Sequence, residues 1–153
     1  MRSMPPGAHA AGLTLMELLI TVVVMGVLAR VAAVNVVPAM PRYRLTNAAT
    51  ELAWTFRALR MRAISQHHTV TVTLTNNHVY TVWTDCNDNG STDSGEVQTT
   101  DVNVLYPGVQ LASTTNPVFQ PTGIVTNMPT ITLTNASGTK TLTMNLLGDI
   151  TIQ

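Results

Sequence analysis

The sequence has little of what staples, charges or catalyses. A single cysteine, Cys86, stands among 153 residues, so no intrachain disulfide can form and the fold must rest on its hydrophobic core. Charged residues make up only 10 % of the chain, which leaves the surface to uncharged polar side chains, and from Thr69 onward Thr and Asn are abundant. Cations are nearly absent from the second half: seven of the eight basic residues lie before position 63, and only Lys140 follows. Six of the eight acids lie from Asp85 onward. Gripping a phosphate backbone needs cationic side chains, so DNA capture by the second half is disfavoured. There is no internal repeat, no phosphate loop and no redox pair. The histidines cluster or scatter without a spaced nucleophile and acid, so nothing supports an enzyme. The adjacent His67 and His68 lack further spaced ligands and are weak metal candidates.

Against that sparse background one long apolar run stands out. After Gly12 come Leu13-Thr14-Leu15-Met16-Glu17, and no other charge appears until Arg30. Residues 13–37 are apolar and long enough for a membrane helix, given about 1.5 Å per residue and a hydrocarbon core of about 30 Å. A carboxylate inside such a segment costs roughly 2.5–3.5 kcal/mol on insertion scales, so Glu17 calls for a partner, most naturally a cation on another copy. A second reading of Glu17 stands beside it. Thr14-x-x-Glu17 matches a capping box, in which the glutamate satisfies backbone donors at a helix start and favours the macrodipole. Residues 1–12, with Pro5, Pro6 and many small residues, read as a leader rather than as structure.

Pro38 and Pro41 interrupt the helical pattern, and a break is expected there. Within residues 38–68, Leu45, Ala48, Ala49, Leu52, Phe56, Leu59 and Ala63 then fall on one helical stripe. Arg44, Glu51, Arg57, Arg60 and Arg62 lie mostly off it, which predicts an amphipathic helix with a charged, solvated face. From Thr69 the period changes to two. Val70 to Leu74 and Val79 to Thr84 flank Asn76-Asn77 as a hairpin, and further strands are expected at Val97–Leu105, Val109–Ala112, Thr130–Thr134, Thr139–Leu146 and Asp149–Ile152. The fold class is therefore α+β: a long N-terminal hydrophobic helix followed by an antiparallel two-sheet β domain over 69–153.

The densest polar motif is residues 85–96. From Asp85 as the first position it places Asp85, Asn87, Asn89, Gly90, Ser91, Asp93 and Glu96 where a twelve-residue calcium loop places its ligands and its turn glycine. Asp85, Asn87, Asn89 and Asp93 would offer side-chain oxygens, Ser91 a carbonyl and Glu96 both carboxylate oxygens. The loop joins two strands rather than two helices, and Asp, Asn, Ser and Gly are also ordinary turn residues, so calcium and a plain solvated loop both remain open.

Gly12-Leu13-Thr14-Leu15-Met16-Glu17-Leu18-Leu19 resembles the class III leader junction of type IV pilins and type II secretion pseudopilins. Later segments are similar to the minor pseudopilins of the GspH/FimT family: the helix from Arg44 to Ile64, the loop ending in Gly95-Glu96, Pro107-Gly108-Val109, and Phe119-Gln120-Pro121-Thr122-Gly123. The resemblance implies a stalk helix on a two-sheet domain, with Gly12 and Leu13 as the processing site at which a prepilin peptidase cuts and methylates. Glu17 would pair with a neighbour's N-terminal amine during assembly. It also implies a single-pass precursor in the bacterial inner membrane with a periplasmic domain, then incorporation with other pilins into a type IV pilus or type II secretion pseudopilus, which the subunit primes or caps. Some relatives resemble DNA receptors with a Gly-Arg-x-Arg segment near the C-terminus. Here Gly148-Asp149-Ile150-Thr151 stands in that place, with an acid for the arginine. A filament-tip binding module, as DNA receptor or adhesin, is the alternative to a filament-building subunit.

Overall fold

The computed structural model describes residues 13–36, 39–87, 89–93 and 95–153. Two compact units divide at Pro38. The first holds helix α1, Leu15–Val36. Its 22 residues extend about 33 Å at 1.5 Å per residue, and the stretch from Leu15 to Ala32 is apolar enough to cross a membrane with none of it buried in the protein.

The second unit begins with α2, Met40–Gln66, whose Pro41 sits in the first turn, where a missing N–H costs nothing. No side chain caps this start, but Asn135 reaches back from the sheets and donates its Nδ2–H to the Pro41 carbonyl at 2.6 Å. The helix ends at His67, which adopts φ 62° as its C-cap. The seven stripe residues are all buried, joined by Ala53, so the period of 3.6 identified the inward face.

Among the described residues nine strands follow, in two antiparallel sheets. One sheet has the order β3-β2-β1-β5-β6, formed by Val97–Asp101, Val79–Thr84, Val70–Leu74, Val118–Phe119 and Val125–Thr126. The other runs β4-β7-β8-β9, from Gln110–Ser113, Thr130–Asn135, Gly138–Met144 and Ile150–Ile152. The β1–β2 hairpin pairs Val72 with Val82, and the Asn76 side chain closes its turn by accepting from His78 and Val79 backbone N–H groups at 3.0 and 2.8 Å. Phe56 of α2 meets Phe119 with ring centroids 6.2 Å apart, amid Val70, Val72, Val125, Leu133 and Leu142. The whole described core runs from Leu45 to Ile150 and takes nothing from α1.

The largest departure from the expected strands is at β3. The expected Val97–Leu105 strand stops at Asp101, and Val102–Leu105 turn into a single helical turn, α3. Asp101 causes the change: its carboxylate accepts from the Asn103 N–H at 2.8 Å and ends the extended run.

Candidate functional site

The α1 start, the 85–96 loop and the arginines of α2 are the three places where the sequence put function. At the first, Gly12 lies outside the described residues, while Leu13 is exposed. Thr14 caps the helix: its Oγ1 accepts from the Glu17 N–H at 3.2 Å, and its carbonyl accepts from Leu18 at 3.2 Å. Half of the capping box is thus present. The reciprocal half is absent among the described residues, where no donor meets the exposed Glu17 carboxylate.

The loop between β2 and β3 is held by its own side chains. Asp85, nearly buried, accepts from the backbone N–H groups of Asn89 at 3.1 Å and Gly90 at 2.9 Å. Asn87 and Asn89 each accept the N–H two residues on, and Gly90 turns the chain at φ 70°. Glu96 closes the far end: Oε1 accepts from Cys86, and Oε2 accepts from Asp93 N–H at 3.1 Å and from Trp83 Nε1–H at 3.2 Å. The amides of Asn87 and Asn89 both donate to Asp93 at 2.8 Å, which lowers the Asp93 carboxyl below its ordinary value. Ser91 is exposed at the tip. The residue types suit a hard cation, and the sixth position is a glycine in the left-handed region. N–H donors meet all three carboxylates. Among the described residues no group of three or more acidic, histidine or cysteine side chains is gathered to hold a metal.

Two of the α2 arginines, Arg57 and Arg60, differ from the solvated face expected of them. Arg60 donates from Nε to the Gly123 carbonyl at 2.9 Å, and Arg57 from Nη2 to the Ile150 carbonyl at 3.3 Å, with its guanidinium also 5.0 Å from the Trp54 ring. Both charges are engaged by the β strands and turns of their own unit. Arg60 also passes beneath Gly148, where a Cβ would stand 2.5 Å from its Cδ. Gly148 and Asp149 therefore build a turn, in which Asn145 accepts from the Asp149 N–H at 2.8 Å, and present no cation. Sequence reasoning also missed a polar pair on the opposite flank: the Tyr106 hydroxyl donates to the Glu51 carboxylate. That bond, then burial, raises the Tyr106 phenol above its ordinary value.

Residues 48–148 match the family described as type II transport protein GspH. The chain belongs to the GspH family. Its role is that of a minor pilin or pseudopilin, a class whose members assemble with other pilins in a filament. Comparison with the curated proteins found no match. Among solved structures, this GspH-family chain is similar in fold to the minor pseudopilin EpsH from the type 2 secretion system of Vibrio cholerae. The TM-score is 0.57 at 15 % identity, covering 72 % of this chain and 96 % of that one. It is similar also to the type IV minor pilin FimU of Pseudomonas aeruginosa, with TM-score 0.55 at 16 % identity, covering 73 % of this chain and 90 % of that one.

Proposed function

We propose that this GspH-family subunit is made as a single-pass inner-membrane precursor with its β domain on the periplasmic side. A prepilin peptidase cuts it between Gly12 and Leu13 and methylates Leu13. The mature subunit enters a type IV pilus or type II secretion pseudopilus, where it primes or caps assembly. The observation that carries the reading is the Glu17 carboxylate, exposed in an apolar helix whose first turn Thr14 already caps, with no described donor meeting it. An unpaired carboxylate in hydrocarbon is costly, and the N-terminal amine of a neighbouring subunit supplies the missing cation. In cells lacking the native gene, Glu17→Ala is expected to be processed and to accumulate normally but to leave filaments unassembled. Wild-type assembly by Glu17→Ala would sink the proposal. The DNA-receptor alternative finds no support, since Arg57 and Arg60 are engaged by backbone carbonyls and Asp149 occupies the basic position.

We further propose that the 85–96 loop takes calcium weakly, with Asp85, Asn87, Asn89, Ser91, Asp93 and Glu96 as ligands. What supports this is the left-handed glycine at the sixth position, Gly90, together with the hard-oxygen donor set. When bound, the ion would neutralise the loop's carboxylates in place of the N–H donors that now meet them.

A further inference from the structure

Among the described residues four strand edges bound the two sheets, and three of them share a hydrogen bond with another part of the unit. At the β4 edge the Leu111 N–H donates to the Asn77 carbonyl at 2.6 Å, so the β1–β2 turn covers it. At the β6 edge the Val125 N–H donates to the Leu146 carbonyl at 2.9 Å, so the β8–β9 turn covers it. At the β9 edge the Ile150 carbonyl accepts from Arg57. The β3 edge differs. Thr84 donates to the Glu96 carbonyl at 3.0 Å and Val102 to the His78 carbonyl at 2.8 Å, which fixes the ladder so that Gln98 and Thr100 bond to β2. Val97 and Thr99 therefore point their N–H and C=O groups away from the sheet, and no hydrogen bond among the described residues reaches them.

Natural proteins guard such an edge with lysine, proline, a bulge or a covering loop. The β3 sequence Val-Gln-Thr-Thr-Asp has no lysine or proline, and its five residues pair with β2 without a bulge. Beside it a narrow cleft opens between α2 and the sheet, lined by Glu51, Thr55, Tyr80, Thr100, Leu105 and Tyr106 among others. Val97, Val104 and Leu105 leave apolar side chains exposed next to this edge. The described charges along it are mainly acidic: Asp85, Asp93, Glu96 and Asp101 lie in β3 or in the loop before it, with His78 Nδ1 3.1 Å from Asp101 and Arg44 held at the Pro107 carbonyl beyond the cleft. Antiparallel pairing of β3 with a second copy would set Asp101 of each chain against Val97 of the other, next to Glu96. Two such edges brought together would juxtapose two acidic surfaces, which disfavours self-pairing.

We propose that the β3 edge is a docking site for an extended strand of a different protein, a β-prone segment with arginine or lysine at its ends. The added strand satisfies the outward groups of Val97 and Thr99, its inward apolar side chain lies beside Thr100 over the cleft, and its cations meet the acids at either end. This goes beyond the filament role and does not rest on it, because binding by the chain itself is read independently of Glu17 and assembly.

The test uses the full chain in detergent micelles, with a chelator present so that the loop charge is fixed. Two blocked peptides are titrated, Arg-Val-Thr-Val-Thr-Val-Arg and the same sequence with glutamate at both ends. The arginine-ended peptide is expected to slow hydrogen exchange at the Val97 and Thr99 amides and to bind about tenfold or more tighter than its acidic counterpart. Thr99→Pro removes an N–H that the β2 ladder does not use and should abolish that binding. Val97→Lys, at an exposed position, should reverse the preference between the peptides and decides the matter if Thr99→Pro does not fold. Equal binding of the two peptides, unslowed exchange at both amides, or unchanged binding by a folded Thr99→Pro would overturn the proposal. So would slowed exchange that rises with protein concentration in the absence of peptide, since that is self-pairing.

Discussion

Gly148 and Arg60 share one space: a Cβ on the glycine would stand 2.5 Å from the arginine's Cδ and 2.7 Å from its Nε. The glycine also holds φ 76°, a conformation that costs a side-chain-bearing residue about 1–2 kcal/mol. Because Arg60 is tied to the Gly123 carbonyl, it cannot move aside without breaking that bond.

Gly148→Ala should therefore destabilise the β unit by more than Gly90→Ala. Gly90 has a similar φ of 70°, but a Cβ there meets nothing within 4 Å. The difference, roughly 1–3 kcal/mol from a steric clash, is measured by thermal unfolding of the micelle-held chain. Adding Arg60→Ala to Gly148→Ala should recover much of that difference, and strict additivity of the two losses would refute the shared-space account.

Phe56→Ala should cost about 3–5 kcal/mol, the usual result of emptying a fully buried aromatic site. Phe56 and Phe119 are each 1 % exposed, so the cavity opens at the middle of the core. Denaturant midpoints at constant m-value check this.

The Tyr106–Glu51 pair predicts an alkaline dependence. Tyr106 has its folded pKa raised above 10.0, first by the hydrogen bond to Glu51 and then by burial. A group with a raised folded pKa stabilises fully below its unfolded pKa and loses that contribution as pH rises through the folded one. Stability should therefore fall above about pH 10. Glu51→Gln should flatten the fall and let Tyr106 ionise earlier, as read by phenolate absorbance and by unfolding midpoints across the same range.

Calorimetric titration with calcium is expected to release or absorb heat with an affinity in the weak range of about 10⁻⁴–10⁻³ M, and Glu96→Ala should abolish it. No heat from either protein would leave the loop as the hydrogen-bonded turn its N–H contacts already make.

The inward face of α2 was legible because Leu45, Ala48, Leu52, Phe56, Leu59 and Ala63 repeat at a fixed helical period over many turns. The two-residue β6 strand was not, since Val125 and Thr126 are too few to show alternation. At β3, Val102 and Val104 kept the alternation going past Asp101, and only the capping bond showed where extension ended. The work of Arg57 and Arg60 could not be read either, because the carbonyls they meet lie 93 and 63 residues further along. Sheet order is likewise a non-local property. Nothing in the local pattern of Val97–Asp101 says that its neighbour on one side is missing.

Every core residue described lies between Leu45 and Ile150, and helix α1 contributes none. With α1 in lipid and then among neighbouring subunits, as proposed, a drifting residue there answers to those surroundings rather than to the described core. A drifting residue in the β unit answers to its own packing. Such a division would let one assembly segment be joined, over evolutionary time, to many different surfaces.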